Sequence, residues 1–146
     1  MQASRSPIRT TLKGEEIKHA RHHPDHHNCA GIAIIFEVEP AEGRLDDYLD
    51  HAATLREELQ RMPGFVSVER FRSLTNPAKL LSLSLWEDEG AVTRWRCHAG
   101  HRASQVAGRD GIFAGYRLRV AAVLRDYGMT ERREQAPADS TALWGL

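Results

Sequence analysis

Apolar and polar residues alternate with a period of two in four stretches of this chain, and two regions between them carry the helical period. In residues 30–39, AGIAIIFEVE, the side chains of Ile32, Ile34, Phe36 and Val38 share one face, and the β-branched and aromatic content suits a strand. Residues 40–43, with Pro40 and Gly43, predict a turn. From 44 to 62, Leu45, Tyr48, Leu49, Ala52, Leu55, Leu59 and Met62 recur every three or four positions and form one apolar stripe on a helix. Asp46 and Asp47 stand in its first turn, where the helix dipole favours negative charge. Pro63 and Gly64 end that helix, and FVSVERFRS at 65–73 alternates again as a second strand before an Asn76-Pro77 turn.

The third strand is predicted at 79–86, KLLSLSLW, where Leu81, Leu83 and Leu85 alternate with Ser82, Ser84 and Trp86. Asp88 is placed to cap a short helix over 88–98 with Ala91, Val92 and Trp95 facing inward. A second helical piece follows to Ala107, with Gly108 as its left-handed stop. Residues 111–115 predict a loop carrying Phe113, and 116–124 a fourth strand in which Leu118, Val120, Ala122 and Leu124 alternate with Arg117, Arg119 and other polar or small residues. If helix continues across Ala99 and Gly100, then Trp95, His98 and His101 lie on one flank of it.

The order β-α-β-β-α-β predicts an α+β, ferredoxin-like fold: an antiparallel four-stranded sheet with its helices on one face. The other face is then bare. Alternation assigns to it either a set such as Ile35, Glu37, Glu69, Ser82, Ser84, Arg117 and Arg119 or the complementary apolar set. A second copy packed sheet to sheet would bury that face and enclose a cavity, so a homodimer is expected.

A chain of 146 residues, 41% hydrophobic, fills one modest core, so a single domain at 30–128 is expected between an N-terminal arm at 1–29 and a polar tail at 129–146. The arm has no apolar periodicity and reads as flexible. Its cluster of His19, His22, His23, His26 and His27 could take up Zn, Ni or Cu ions. No ordered carboxylate or thiolate accompanies it, so opportunistic binding is the expectation rather than a built metal site. Twenty basic residues balance twenty acidic ones, which gives no long-range attraction for nucleic acid or an anionic membrane and leaves only local patches. No apolar run is long enough to cross a bilayer, and Arg5 and Arg9 are not followed by a secretory apolar stretch; a cytoplasmic location is expected. The two cysteines, Cys29 and Cys97, lack metal or redox spacing and are expected to be free.

The candidate chemistry gathers at 79–127. His101 titrates near neutral pH and can act as base or ligand, with capping of a helix break at Gly100 as its structural alternative. Trp86 and Trp95 suit a core as well as a pocket wall. Arg117, Arg119 and Arg125 form a solvated or ion-paired strand face, unless a closed dimer turns one of them inward to hold an anionic substrate. His51 falls on the polar flank of the first helix and reads as surface.

The run WEDEGAVTRWRCHAGHRASQVAGRDGIFAGYRLRVAAVLRDYG at 86–128 resembles the C-terminal half of antibiotic biosynthesis monooxygenase-type domains, and PGFVSVERFRS at 63–73 resembles their second strand. The resemblance extends over residues 31–128 and implies a dimeric α+β barrel. It also implies a cofactor-free oxidation of a small aromatic or polyketide-like substrate by dioxygen. His101 would be the proton acceptor, Trp95 would shape the pocket, and Trp86, Phe113, Tyr116 and Arg119 would contact the substrate. A heme-degrading branch of the same superfamily uses a first-strand Asn, a Trp and a more distant axial His. Trp95 matches its Trp, but 30–39 holds no Asn, its position falls at or near Phe36, and His101 stands closer to Trp95, so heme is disfavoured. A non-catalytic dimeric ligand-binding module is the reading from a different class.

Overall fold

A computed structural model describes residues 30–143; the histidine cluster of the arm, Cys29 and Trp144 lie outside the described residues. The strands β1 (Ile32–Pro40), β2 (Phe65–Arg72), β3 (Leu80–Trp86) and β4 (Phe113–Ala122) form one antiparallel sheet in the order β2-β3-β1-β4. Helix α1 (Leu45–Gln60) joins β1 to β2, and α2 (Glu89–Cys97) with α3 (Ala99–Ala107) joins β3 to β4. This is the ferredoxin-like α+β arrangement that the alternation predicts.

The register settles which face is which. Ile34 stands opposite both Ser84 and Val120, and Phe36 opposite Ser82 and Leu118, so the two serines share the face of the β1 apolar set. That face is turned to the helices. The opposite face pairs Ile35 with Leu83 and Arg119, and Glu37 with Leu81 and Arg117. The expected outer set is therefore corrected at Ser82 and Ser84, whose places are taken by Leu81, Leu83 and Leu85. Alternation alone could not phase β3 against β1, because both faces of β3 are short-range plausible and only pairing fixes their sides.

The core has two centres. Val38, Tyr48, Leu80 and Ile112 are buried together with Phe36, Leu45 and Phe113 around them, while Leu59, Trp86 and Ala91 are buried beneath Ile32, Ile34, Phe65, Val68 and Trp95. Tyr48, Ala52 and Leu59 carry the buried stripe of α1, and Leu49 at its edge stays 40% exposed.

Residues 111–115 are not a loop. A turn at Gly108–Ile112, non-helical at Asp110 and Gly111, buries Ile112 in the first centre, Gly111 takes a φ of +105° as the chain reverses, and β4 begins at Phe113. The Ala41 N–H donates to the Ile112 carbonyl at 2.8 Å, so pairing with the end of β1 extends β4 beyond what its own sequence signals. A 3-10 turn at Arg133–Gln135 and α4 (Ala138–Leu143) follow, with the Asp126 N–H donating to Gln135 Oε1 at 3.0 Å and Arg132 ion-paired to Asp126.

The α1–β2 turn depends on Gly64, which has φ +83° and leaves no space for a methyl group: a Cβ there would lie 2.6 Å from the Ala91 Cβ. Gly64→Ala is expected to destabilise the fold by about 2 kcal/mol or more, from the left-handed penalty plus overlap with a fully buried residue. Urea unfolding measures it, and a loss below about 0.5 kcal/mol would show that the turn relaxes freely.

Candidate active site

Asp88 begins the site by capping α2, its carboxylate accepting from the Ala91 N–H at 2.7 Å as the sequence predicts. The helix then ends at His98, which has extended backbone (φ −65°, ψ 136°), and α3 restarts one residue later. The break replaces the continuous helix on which a shared flank was expected, yet the rings still converge. Trp95 stacks on His98 with centroids 5.4 Å apart and an interplanar angle of 21°, and it meets His101 at 4.9 Å and 31°. Gly100 lies close to α1: a Cβ at that position would lie 2.4 Å from Glu58 Oε2, so a larger residue there would displace the Glu58 side chain. His98 Nδ1 approaches the same carboxylate at 3.3 Å, without the alignment of a hydrogen bond.

Trp95 and His101 form one end of a cavity of about 350 Å³ between the sheet and the helices, while His98 lies outside its lining. At this end Trp86 packs beside Trp95 (6.5 Å) and edge-on to Phe65 (5.5 Å). The other end is a second aromatic group, in which Phe113 meets Phe36 and Tyr48 at 5.9 Å and Tyr116 at 6.2 Å. Ile34, Val68, Leu118 and Val120 supply the sheet floor and Leu55 and Leu59 the α1 wall. Along β4 the cavity is open, with Tyr116 60% and both Leu118 and Val120 51% exposed. Such a space suits a flat apolar molecule.

His101 is a half-buried titratable group in this aromatic wall. Its Nδ1 is buried and has no hydrogen-bond partner. Burial pushes the imidazole below its ordinary value near 6.5, a hydrogen bond with the Arg96 backbone opposes that shift, and the neighbouring His98 lowers it further. The ring is therefore neutral at pH 7, with a lone pair available to accept a proton.

Most of the expected site residues come together. His101, Trp95, Trp86, Phe113 and Tyr116 all line the cavity. Trp86 is 1% exposed and its Nε1 donates to Ser84 Oγ at 2.9 Å, so its ring is structural as well as cavity wall and its N–H is not free for a ligand. Ser84 keeps its own hydroxyl proton to donate. Arg119 does not reach the cavity: it projects from the opposite face of the sheet and pairs with Glu37 at 3.2 Å. His51, expected at the surface, lines the cavity, as do Arg56, Arg70, Arg96 and Gln105, which no local pattern singles out. The period of α1 already places His51 and Ala52 on adjoining positions with Leu55 and Arg56, but nothing in the chain announces that the stripe borders a cavity rather than solid core. Among the described residues no group of three His, Cys, Asp or Glu side chains is arranged to hold a metal, and Cys97 is an exposed thiol. On the cavity face, β1 presents Ile34 and Phe36, so the amide donor of the heme-degrading branch is missing.

The sequence profile described as antibiotic biosynthesis monooxygenase matches residues 31–107, more than half of the chain. The chain belongs to that family. It is 40% identical over 109 residues to a protein of Pyricularia oryzae named jasmonate monooxygenase ABM, an alignment covering 75% of this chain and 51% of the relative. It is 35% identical over 63 residues to the uncharacterised YqjZ of Bacillus subtilis, covering 43% of this chain and 54% of that one. The chain thus spans about half the length of the curated relatives it matches. Among solved structures, Rv0793 of Mycobacterium tuberculosis superposes with a TM-score of 0.61 at 12% identity, covering 68% of this chain and 100% of its own. A conserved Methanosarcina mazei protein superposes at 0.59 and 15%, covering 64% and 93%. At such identities the likeness carries the fold. In this family member no helix among the described residues is long and apolar enough to cross a membrane.

Proposed function

We propose that this chain is a monooxygenase that oxidises a small, flat, weakly acidic substrate with dioxygen and needs no organic cofactor, His101 taking the substrate proton. The observation that carries the reading is the position of His101: an imidazole that burial holds below its ordinary pKa, standing in the aromatic wall of a cavity that fits such a molecule. Family membership and the relative named jasmonate monooxygenase ABM support it.

The chemistry asked of the chain is limited. His101 removes a proton from an activated C–H or O–H group, and the resulting carbanion reduces and combines with dioxygen to give a peroxide. The peroxide then takes up the proton and loses water, leaving one oxygen atom as a carbonyl on the substrate and the other in water. The Ser82 and Ser84 hydroxyls stand on the cavity face, where they can donate to oxygen that becomes negative. Apolar walls exclude water from the carbanion. Oxygen consumption with an anthrone and with jasmonate tests the proposal. Uptake matched by formation of an oxygenated product is expected; a ligand that binds without consuming oxygen overturns it in favour of a binding module.

The active form proposed is a homodimer. Leu81, Leu83, Leu85 and Ile35 are only half-buried on the outer face, and Phe71 beside them is 44% exposed, more apolar surface than a lone sheet face usually leaves to water. Sedimentation at micromolar concentration is expected to give a dimer, and a monomer there would refute this assignment.

A further inference from the structure

The cavity carries a charge bias that whole-chain neutrality hides. Its lining includes Arg56, Arg70 and Arg96, and no aspartate or glutamate lines it among the described residues. None of the three guanidiniums is ion-paired within the described residues, in contrast to Arg119, which Glu37 neutralises. Uncompensated like charges around one opening repel each other, and a cleft with apolar walls strengthens the field that they create. An anion entering there relieves that repulsion.

Of the three, Arg70 has the firmest mounting. It is the cross-strand partner of Ser82, and Ser82 in turn stands opposite Phe36. Directly opposed residues have Cβ atoms about 5 Å apart. The Ser82 hydroxyl has no hydrogen-bond partner among the described residues, so a guanidinium and a free hydroxyl donor adjoin on a rigid sheet, with an apolar floor continuing from them. Arg56 and Arg96 project from helices at the exposed mouth.

We infer that the ligand of this cavity is an apolar small molecule bearing a carboxylate, which Arg70 and Ser82 hold while Arg56 and Arg96 attract it to the mouth. The inference rests on the monooxygenase reading only for what happens to the ligand afterwards. Charge-assisted bonds from a planar guanidinium orient a carboxylate and leave the rest of the molecule to lie along the aromatic walls. The arginine expected on β4 as an anion holder is thereby replaced by one on β2.

Calorimetry with 1-naphthoate and with its methyl ester, under nitrogen, tests this without turnover. The acid is expected to bind roughly tenfold or more tightly than the ester at pH 7. Arg70→Gln should weaken binding of the acid far more than that of the ester and so shrink that preference severalfold, while Arg125→Gln, which removes an equal charge away from the cavity, should keep it. Equal binding of acid and ester, no binding of the acid, or a preference intact in Arg70→Gln would overturn the assignment. A retained carboxylate preference without oxygen uptake would sink the monooxygenase reading alone, and uptake on neutral substrates without that preference would sink this one alone.

Discussion

Replacing His101 with alanine lowers oxygen consumption by about 10²- to 10⁴-fold, the usual contribution of a positioned general base. His101→Gln, which keeps a polar side chain of similar reach, falls by a comparable factor while its melting temperature stays close to that of the wild type. Unchanged turnover in either variant would remove His101 from the mechanism. The pH profile carries a second signature. As a base His101 works when neutral, and burial holds its pKa below 6.5, so activity should rise with pH through a midpoint below 6.5 and be flat at neutrality. Stability follows the same proton. The unfolded chain protonates this histidine at the ordinary value and the folded chain resists, so the folded state has its full stability above 6.5 and loses some as pH falls through the lowered folded pKa. His101→Gln should show less of that acid loss, as measured by urea midpoints at neutral and mildly acidic pH.

Trp86→Ala is expected to cost about 3–5 kcal/mol, the range for truncating a large aromatic in a packed core. Trp86 is 1% exposed, lies between Phe65 and Trp95, and gives its N–H to Ser84. Small domains hold only about 5–15 kcal/mol in total, so the variant should unfold at much lower urea or fail to accumulate. Trp86→Phe separates packing from polarity: it keeps most of the buried area and removes the hydrogen bond, for about 1 kcal/mol. A loss in Trp86→Ala below about 1 kcal/mol, read from the urea midpoint at unchanged slope, would mean that the ring serves the cavity and not the core. Trp95 is less buried, so the two tryptophans divide the work, Trp86 holding β3 under the helices and Trp95 packing against His101 in the cavity wall.

The local periods of the chain determined the elements. Ile32, Ile34, Phe36 and Val38 specify a strand because alternate side chains share a face, Tyr48, Ala52 and Leu59 specify a helix because every third or fourth does, and Asp88 marks a helix start through its cap. Their order then specified the ferredoxin-like fold, and Trp95 with His101 stood out as the candidate chemistry. Strand pairing decided what these local rules leave open. Register alone put Ser82 and Ser84 beside Ile34 and Phe36, sent Arg119 to the outer face, and carried β4 back to Phe113. The cavity itself is a tertiary product, since its lining joins Arg70, Arg56 and Arg96 from three elements far apart in the chain. No local pattern encodes such a gathering, because side chains that meet across a cavity have no fixed separation in sequence. Even the convergence of His101 on Trp95 was not legible locally, because the helix breaks at His98 and α3 restarts one residue later.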